Sequence, residues 1–108
     1  MGHHILVSLY GVAFALLDDP SGISLAFDQA CEVMGATVLH RFNHQFTPQG
    51  VTVVYALAES HISIHTFPEK GSAAMDVYTC GSMNSMHGVE VLLKHFTPKR
   101  VEIHEMER

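Results

Sequence analysis

Alternating and periodic apolar positions predict six strands and two helices along this chain. Runs of β-branched and apolar residues, among them the clean alternation from His61 to Phe67, are typical of strands. The predicted strands are residues 3–13, 37–47, 51–58, 61–67, 73–80 and 100–106. The start signal Asp18-Asp19-Pro20-Ser21 precedes one helix that ends at Gly35, and helical spacing predicts the other over Ser85–Phe96.

The order of these elements predicts an α+β fold. Short connections between neighbouring strands, such as Pro48-Gln49-Gly50, favour a mainly antiparallel sheet. Both helices then lie on one face of the sheet, which makes the fold a two-layer sandwich. At 108 residues the chain is expected to form a single domain, residues 1–108, with a core small enough for oligomerisation to help its stability.

Composition excludes several classes of function. The formal net charge is −5 and the 6 Lys and Arg residues form no basic stripe, so we expect no nucleic-acid partner. No apolar run approaches the length of about 18 residues that a membrane span needs. Residues 1–17 lack a basic segment, so we expect no signal peptide. Cys31 and Cys80 make no disulfide framework, and a cytoplasmic location is expected.

The stretch AESHISIHTFPEKG, which begins one residue before Glu59, concentrates the candidate chemistry. Glu59 and Ser60 precede a strand that presents His61 and His65 on one face. One interpretation is that these are structural histidines held by hydrogen bonds. A second is a metal pair, His61-x3-His65, completed by Cys80 and another histidine. A third is a Ser-His-acid triad, whose geometry a sequence cannot show.

The same residues contain the parts for self-processing. The hydroxyl of Ser60 can attack the carbonyl of Glu59, and a base can then remove the α-proton of the resulting ester and cut the chain by β-elimination. After hydrolysis Ser60 becomes a pyruvoyl group, an electrophilic carbonyl that forms a Schiff base with a substrate amine and accepts its electrons. The predicted products are a β chain, residues 1–59, and an α chain, residues 60–108.

Several motifs resemble the bacterial and archaeal type of S-adenosylmethionine decarboxylase proenzyme, a pyruvoyl-dependent family. The matching positions are GAT at 35–37, His44, Phe46, PQGV at 48–51, ESHISIHTFPE at 59–69 and AMDVYTCG at 74–81. The resemblance is nearly free of gaps from Gly35 to Gly81, and its ESHISIHT and TCG blocks are highly specific.

The resemblance implies a role for each matched residue. Ser60 would be the pyruvoyl precursor, His65 would promote processing, and Cys80 would protonate the substrate carbon after CO2 has left. No metal is expected in the site. The residues expected to bind the substrate are Phe46 and Phe67, beside the adenine, and Glu69, at the ribose.

The activity that the resemblance implies is conversion of S-adenosylmethionine to decarboxylated S-adenosylmethionine and CO2, for spermidine biosynthesis. Active sites of this family lie at a dimer interface, so a homodimer of processed αβ units is implied. Two alternatives are the same pyruvoyl machinery acting on ornithine or arginine, and a regulatory or ligand-binding homologue that does not process itself. Elsewhere, Cys31 is expected in the core, and His3, His4, His87 and His104 are expected at the surface.

Overall fold

The computed structural model describes residues 2–108 and contains one sheet with helices packed against one of its faces. The strands are β1 (Gly2–Tyr10), β2 (Val38–Gln45), β3 (Val51–Leu57), β4 (Ser60–Phe67), β5 (Ser72–Cys80) and β6 (Arg100–Glu107). The helices are α1 (Phe14–Leu17), α2 (Pro20–Met34) and α3 (Ser85–Phe96), with a 3-10 turn at Pro68–Lys70. No helix within residues 2–108 is long and apolar enough to cross a membrane.

The six strands pair in the order β2-β3-β4-β5-β1-β6, and every pair is antiparallel. The predicted α+β two-layer fold is therefore confirmed, together with both long helices. The sequence pattern missed α1, because four residues are too few to show a helical period. The first strand was predicted three residues too long, since Gly11 takes a φ of 69° and turns the chain after Tyr10.

The ends of α2 follow from local chemistry. At its start the side chain of Asp19 accepts a hydrogen bond of 3.1 Å from the backbone N–H of Gly22, and Pro20 occupies the first helical position. At its end Gly35 takes the left-handed conformation, with a φ of 76°, that terminates many helices. The start signal at residues 18–21 and the end at Gly35 were predicted from the sequence, and both are confirmed, although the cap is the carboxylate of Asp19 and not a hydroxyl.

The hydrophobic core lies between the helices and one face of the sheet. Alternate residues of the strands point into it, and Ile62 and Ile64 of β4 are fully buried there with Phe27 and Phe96 of the helices. Cys31 on α2 belongs to the same core, as predicted, and burial raises the pKa of its thiol to about 11.

The opposite face of the sheet, here called the open face, is not covered by the helices of residues 2–108. Its centre is polar, because the alternate residues of β4 and β5 that point there include His61, Ser63 and Asp76. Large apolar side chains lie around that centre and remain exposed to solvent: Leu6, Phe42, Phe67 and Met106. A face with this composition is available for contact with another molecule.

Candidate active site

The turn between β3 and β4 holds the peptide bond that the sequence predicts to be cleaved. Leu57 pairs with Ser60 across the hairpin, so that the turn has only two residues, Ala58 and Glu59. Glu59 takes a φ of 58°, in the left-handed region that a non-glycine residue enters at a cost of roughly 1–2 kcal/mol. Backbone strain is therefore located at Glu59, the residue on the amino side of the bond that is predicted to be cleaved.

Ser60 and Cys80 lie together at one end of the sheet. The backbone N–H of Cys80 donates a hydrogen bond of 3.1 Å to the hydroxyl oxygen of Ser60. The sulfur of Cys80 lies 3.8 Å from the hydroxyl of Tyr78, and this interaction raises the pKa of Tyr78. Both Ser60 and Cys80 are half-buried, so each is partly screened from bulk water. We call Glu59, Ser60 and Cys80 the serine half-site.

His65 lies at the other end of the same strand. It follows Ser60 by five residues, which at about 3.3 Å per residue separates the two by about 17 Å along β4. The side chain of His65 is exposed on the open face, and its Nδ1 lies 2.8 Å from the hydroxyl of Thr52 on β3. His65 and Ser60 of one chain are therefore too far apart for a proton to pass directly between them.

Thr52 is a neighbour of His65 that the sequence interpretation missed. Its position follows from the hairpin register, because a two-residue turn at Ala58 and Glu59 places Thr52 directly opposite His65. The sequence contained this signal, since the predicted strands 51–58 and 61–67 adjoin that turn. Predicting the contact between Thr52 and His65 required knowing that the turn has two residues.

The three residues predicted to bind substrate lie together around His65. Phe46, Phe67 and Glu69 line one depression of about 310 Å³, together with His65 and Thr52. The two aromatic rings are 49% and 41% exposed, so that their faces are free to contact a planar ligand. The carboxylate of Glu69 is also exposed and accepts a long hydrogen bond, 3.4 Å, from the side-chain amide of Gln49. We call Phe46, His65, Phe67 and Glu69 the aromatic half-site.

The two alternative sites considered from the sequence do not form within one chain. His61 and His65 share the open face but lie about 13 Å apart along the strand, too far to bind one ion. A triad that joins Ser60 to His65 is excluded by the distance between them. Within residues 2–108, the single group of three histidine, cysteine or acidic side chains close enough to share a metal is His4, His61 and Asp76.

His4 was wrongly predicted to lie at the surface. Its side chain is only 12% exposed, and its Nε2 lies 2.8 Å from the carboxylate of Asp76. The strand pairing explains this position, because β1 lies between β5 and β6 rather than at an edge of the sheet. Partial burial raises the pKa of Asp76, but hydrogen bonds from Ser63, His61 and His4 outweigh that effect, and the pKa lies below its ordinary value of 3.8.

Comparison with known proteins agrees with the sequence motifs over the whole chain. The profile of the S-adenosylmethionine decarboxylase family matches residues 3–108. An S-adenosylmethionine decarboxylase proenzyme of Methanococcus maripaludis (strain C7) is 42% identical over 109 residues, covering 100% of this chain and 89% of the relative. The proenzyme of Persephonella marina is 44% identical over 109 residues, covering 100% of this chain and 82% of the relative.

Solved structures give the same result. The adenosylmethionine decarboxylase of Aquifex aeolicus superimposes with a TM-score of 0.94 at 38% identity, covering 100% of this chain and 90% of that one. A Trypanosoma brucei AdoMetDC monomer shares the fold at a TM-score of 0.71 and 18% identity, covering 94% of this chain and 44% of that one. The fold is thus that of the S-adenosylmethionine decarboxylases. This chain belongs to the S-adenosylmethionine decarboxylase family.

Proposed function

We propose that this protein is a carboxy-lyase that converts S-adenosylmethionine to decarboxylated S-adenosylmethionine and CO2 by means of a pyruvoyl group made from its own Ser60. The decarboxylated product supplies spermidine biosynthesis. The observation that carries the proposal is the serine half-site, where Glu59 takes a left-handed conformation before Ser60 and the backbone N–H of Cys80 contacts the hydroxyl of Ser60.

The serine half-site fits the self-cleavage that would form the pyruvoyl group. The N–H of Cys80 holds the hydroxyl oxygen of Ser60, and that hydroxyl is always within reach of the carbonyl of the preceding residue, Glu59. Cleavage of the chain would free Glu59 to leave the left-handed conformation that it adopts in the two-residue turn. Elimination then frees the carboxylate of Glu59 as the end of chain 1–59, and chain 60–108 begins at the altered Ser60.

The pyruvoyl group would supply an electrophilic carbonyl that binds the substrate amine as a Schiff base. This group would also accept the electrons that remain on the substrate carbon when CO2 leaves. The role of Cys80 is to deliver a proton to the substrate carbon. A protonated thiol can act as a general acid toward a carbanion. The backbone N–H of Cys80 contacts Ser60, so Cys80 lies next to the position where the pyruvoyl group would stand.

The aromatic half-site fits the adenosyl part of the substrate. Phe46 and Phe67 offer two exposed aromatic faces, which suit an adenine ring and a positively charged sulfonium. The carboxylate of Glu69 can accept hydrogen bonds from the two ribose hydroxyls. Ornithine and arginine have no ring to stack on these faces, and none of the observations favours them.

We further propose that the active enzyme is a homodimer of processed αβ units. About 17 Å separates the two half-sites of one chain, so a complete site would need the serine half-site of one protomer and the aromatic half-site of its partner. The open face, with exposed Leu6, Phe42 and Met106 around a polar centre, is the surface that such a partner would cover. In this arrangement His65 of the partner subunit would act on Ser60.

Intact mass and CO2 release together test the proposed function. The purified protein should appear as two fragments, cleaved between Glu59 and Ser60, and should release CO2 from S-adenosylmethionine but not from ornithine or arginine. Ser60→Ala should give one uncleaved and inactive chain, because alanine has no hydroxyl for the acyl shift. Cleavage of the Ser60→Ala chain would refute the assignment. An intact and inactive wild-type chain would instead favour the regulatory homologue.

A further inference from the structure

Side chains from three neighbouring strands converge on the open face. His4 lies on β1, Asp76 on β5 and His61 on β4, and their potential ligand atoms all lie within 4.8 Å of one another. The Nε2 of His4 is 2.8 Å from Oδ2 of Asp76, and the Nε2 of His61 is 3.0 Å from the same oxygen. Neither histidine has a part in the decarboxylation proposed above.

We propose that His4, His61 and Asp76 form a binding site for a first-row divalent metal ion, with Zn²⁺ as the representative ion. Two imidazoles and one carboxylate are a donor set that such ions use, and three protein ligands leave one position open for water or another ligand. Bonds of about 2.0–2.1 Å in a tetrahedral site place the ligand atoms about 3.3 Å apart. The two contacts to Asp76 would therefore open by only a few tenths of an ångström to admit the ion.

The surroundings of Asp76 are those of an oriented metal ligand. Ser63 on β4 donates a hydrogen bond to Oδ1 of Asp76, the carboxylate oxygen that does not face the histidines. A bond of this kind fixes the carboxylate so that its other oxygen is presented to the ion. The strands also hold the three ligands in place, because His61 and His4 pair with opposite sides of the same residue, Tyr78.

The partial exposure of the cluster provides a path for entry of the ion. The side chain of His61 is 41% exposed, whereas those of His4 and Asp76 are 12% and 22% exposed. In a single chain, before a partner covers the open face, solvent therefore reaches the cluster from the side of His61. His4 and Asp76 are the less accessible ligands, and they form the floor of the site.

Arg108 opposes metal binding at His4, and this opposition can be measured. Its Nη1 lies 3.5 Å from Nδ1 of His4, and a guanidinium can only donate a hydrogen bond. The contact favours the tautomer of His4 that carries its proton on Nε2, the atom that must be free to bind a metal. Binding would thus require the proton to move to Nδ1 and Arg108 to turn away. We expect Arg108→Ala to bind the ion more tightly than the unsubstituted protein.

Calorimetric titration of the purified, metal-free protein with Zn²⁺ tests the site. The expected result is one ion bound per chain, with affinity reduced at least roughly tenfold in Asp76→Asn and in His61→Gln. Ser63→Ala should weaken binding by roughly 10–100-fold, because it removes the orienting hydrogen bond. The matched control is His87→Gln, an exposed histidine on α3, which should leave the affinity unchanged. Zn²⁺ binding that ignores both ligand substitutions would assign the ion to other histidines and overturn the proposal.

Cobalt provides a readout that requires no variant. Co²⁺ bound by two imidazoles and a carboxylate should give the intense visible absorption of a four- or five-coordinate ion, which the hydrated ion lacks. Absence of that absorption in the unsubstituted protein, together with no heat from Zn²⁺, would refute the site even if every variant failed to fold. The site does not depend on the proposed decarboxylase activity, and metal binding can be measured on cleaved and on uncleaved protein alike.

Discussion

Complementation between two inactive variants tests whether each processing site uses two chains. His65 and Ser60 of one chain lie about 17 Å apart along β4, whereas a base must come within about 3 Å of the proton that it removes. Neither Ser60→Ala nor His65→Ala should cleave when expressed alone. In a mixed dimer, however, Ser60 of the His65→Ala chain would meet the intact His65 of the other chain.

The expected yield follows from two-fold assembly. If the two variants are expressed together in equal amounts and assort at random, about half of the His65→Ala chains enter mixed dimers and become competent to cleave. Distinct affinity tags on the two variants allow the mixed dimers to be isolated and each chain to be identified by intact mass. Only the chain that carries Ser60 should be cut.

Two results would contradict this reasoning. Normal cleavage of His65→Ala expressed alone would remove His65 from processing. Isolated mixed dimers that remain uncut would show that the two half-sites do not meet across the interface, or that His65 acts by another route. Thr52→Val provides a matched control for mixed dimers that remain uncut. This substitution removes the hydroxyl that contacts His65 and keeps the imidazole. Slower but detectable cleavage in Thr52→Val would show that Thr52 positions His65.

Three further predictions concern cleavage, turnover and substrate. Cys80→Ala should still cleave but should turn over poorly and inactivate itself by misplaced protonation of the pyruvoyl group; unchanged long-term CO2 release would exclude Cys80 as the proton donor. Phe46→Ala and Glu69→Gln should each lower kcat/KM for S-adenosylmethionine roughly ten- to a hundredfold, because stacking and charged hydrogen bonds contribute about 1–3 kcal/mol each, and neither should alter cleavage. Glu59→Gly should relieve roughly 1 kcal/mol of left-handed strain, and cleavage followed by mass should slow several-fold; an unchanged rate would mean that the strain does not assist the acyl shift.

Local signals in the sequence were sufficient to predict the six strands and the two long helices of the fold. The helix start at residues 18–21, the terminating Gly35 and the alternation around Ile62 and Ile64 each depend on neighbours within a few residues, and each is confirmed. The insertion of β1 between β5 and β6 depends on pairing between distant parts of the chain, which no local pattern contains. That insertion is the reason why His4 was wrongly placed at the surface.

The candidate site was predictable as a set of residues but not as an arrangement. Ser60 and Cys80 were assigned on motifs, and the structure places them in contact through the N–H of Cys80. The cluster around Asp76 was missed, because its three ligands are separated by up to 72 positions in the sequence. Its members meet only after β1, β4 and β5 have paired.

A strand separates residues that are a few positions apart in sequence more than a helix does. A helix would bring residues five apart to within about 7.5 Å along its axis, but β4 extends the interval from Ser60 to His65 to about 17 Å. A two-fold axis perpendicular to a strand exchanges its two ends between two chains, so each end of one strand meets the opposite end of the other. In the proposed homodimer, one strand that holds half of the chemistry at each end would give two equivalent sites, and a monomer would have no complete site. The same geometry predicts that dilution below the dissociation constant of the dimer should abolish turnover even of fully cleaved protein.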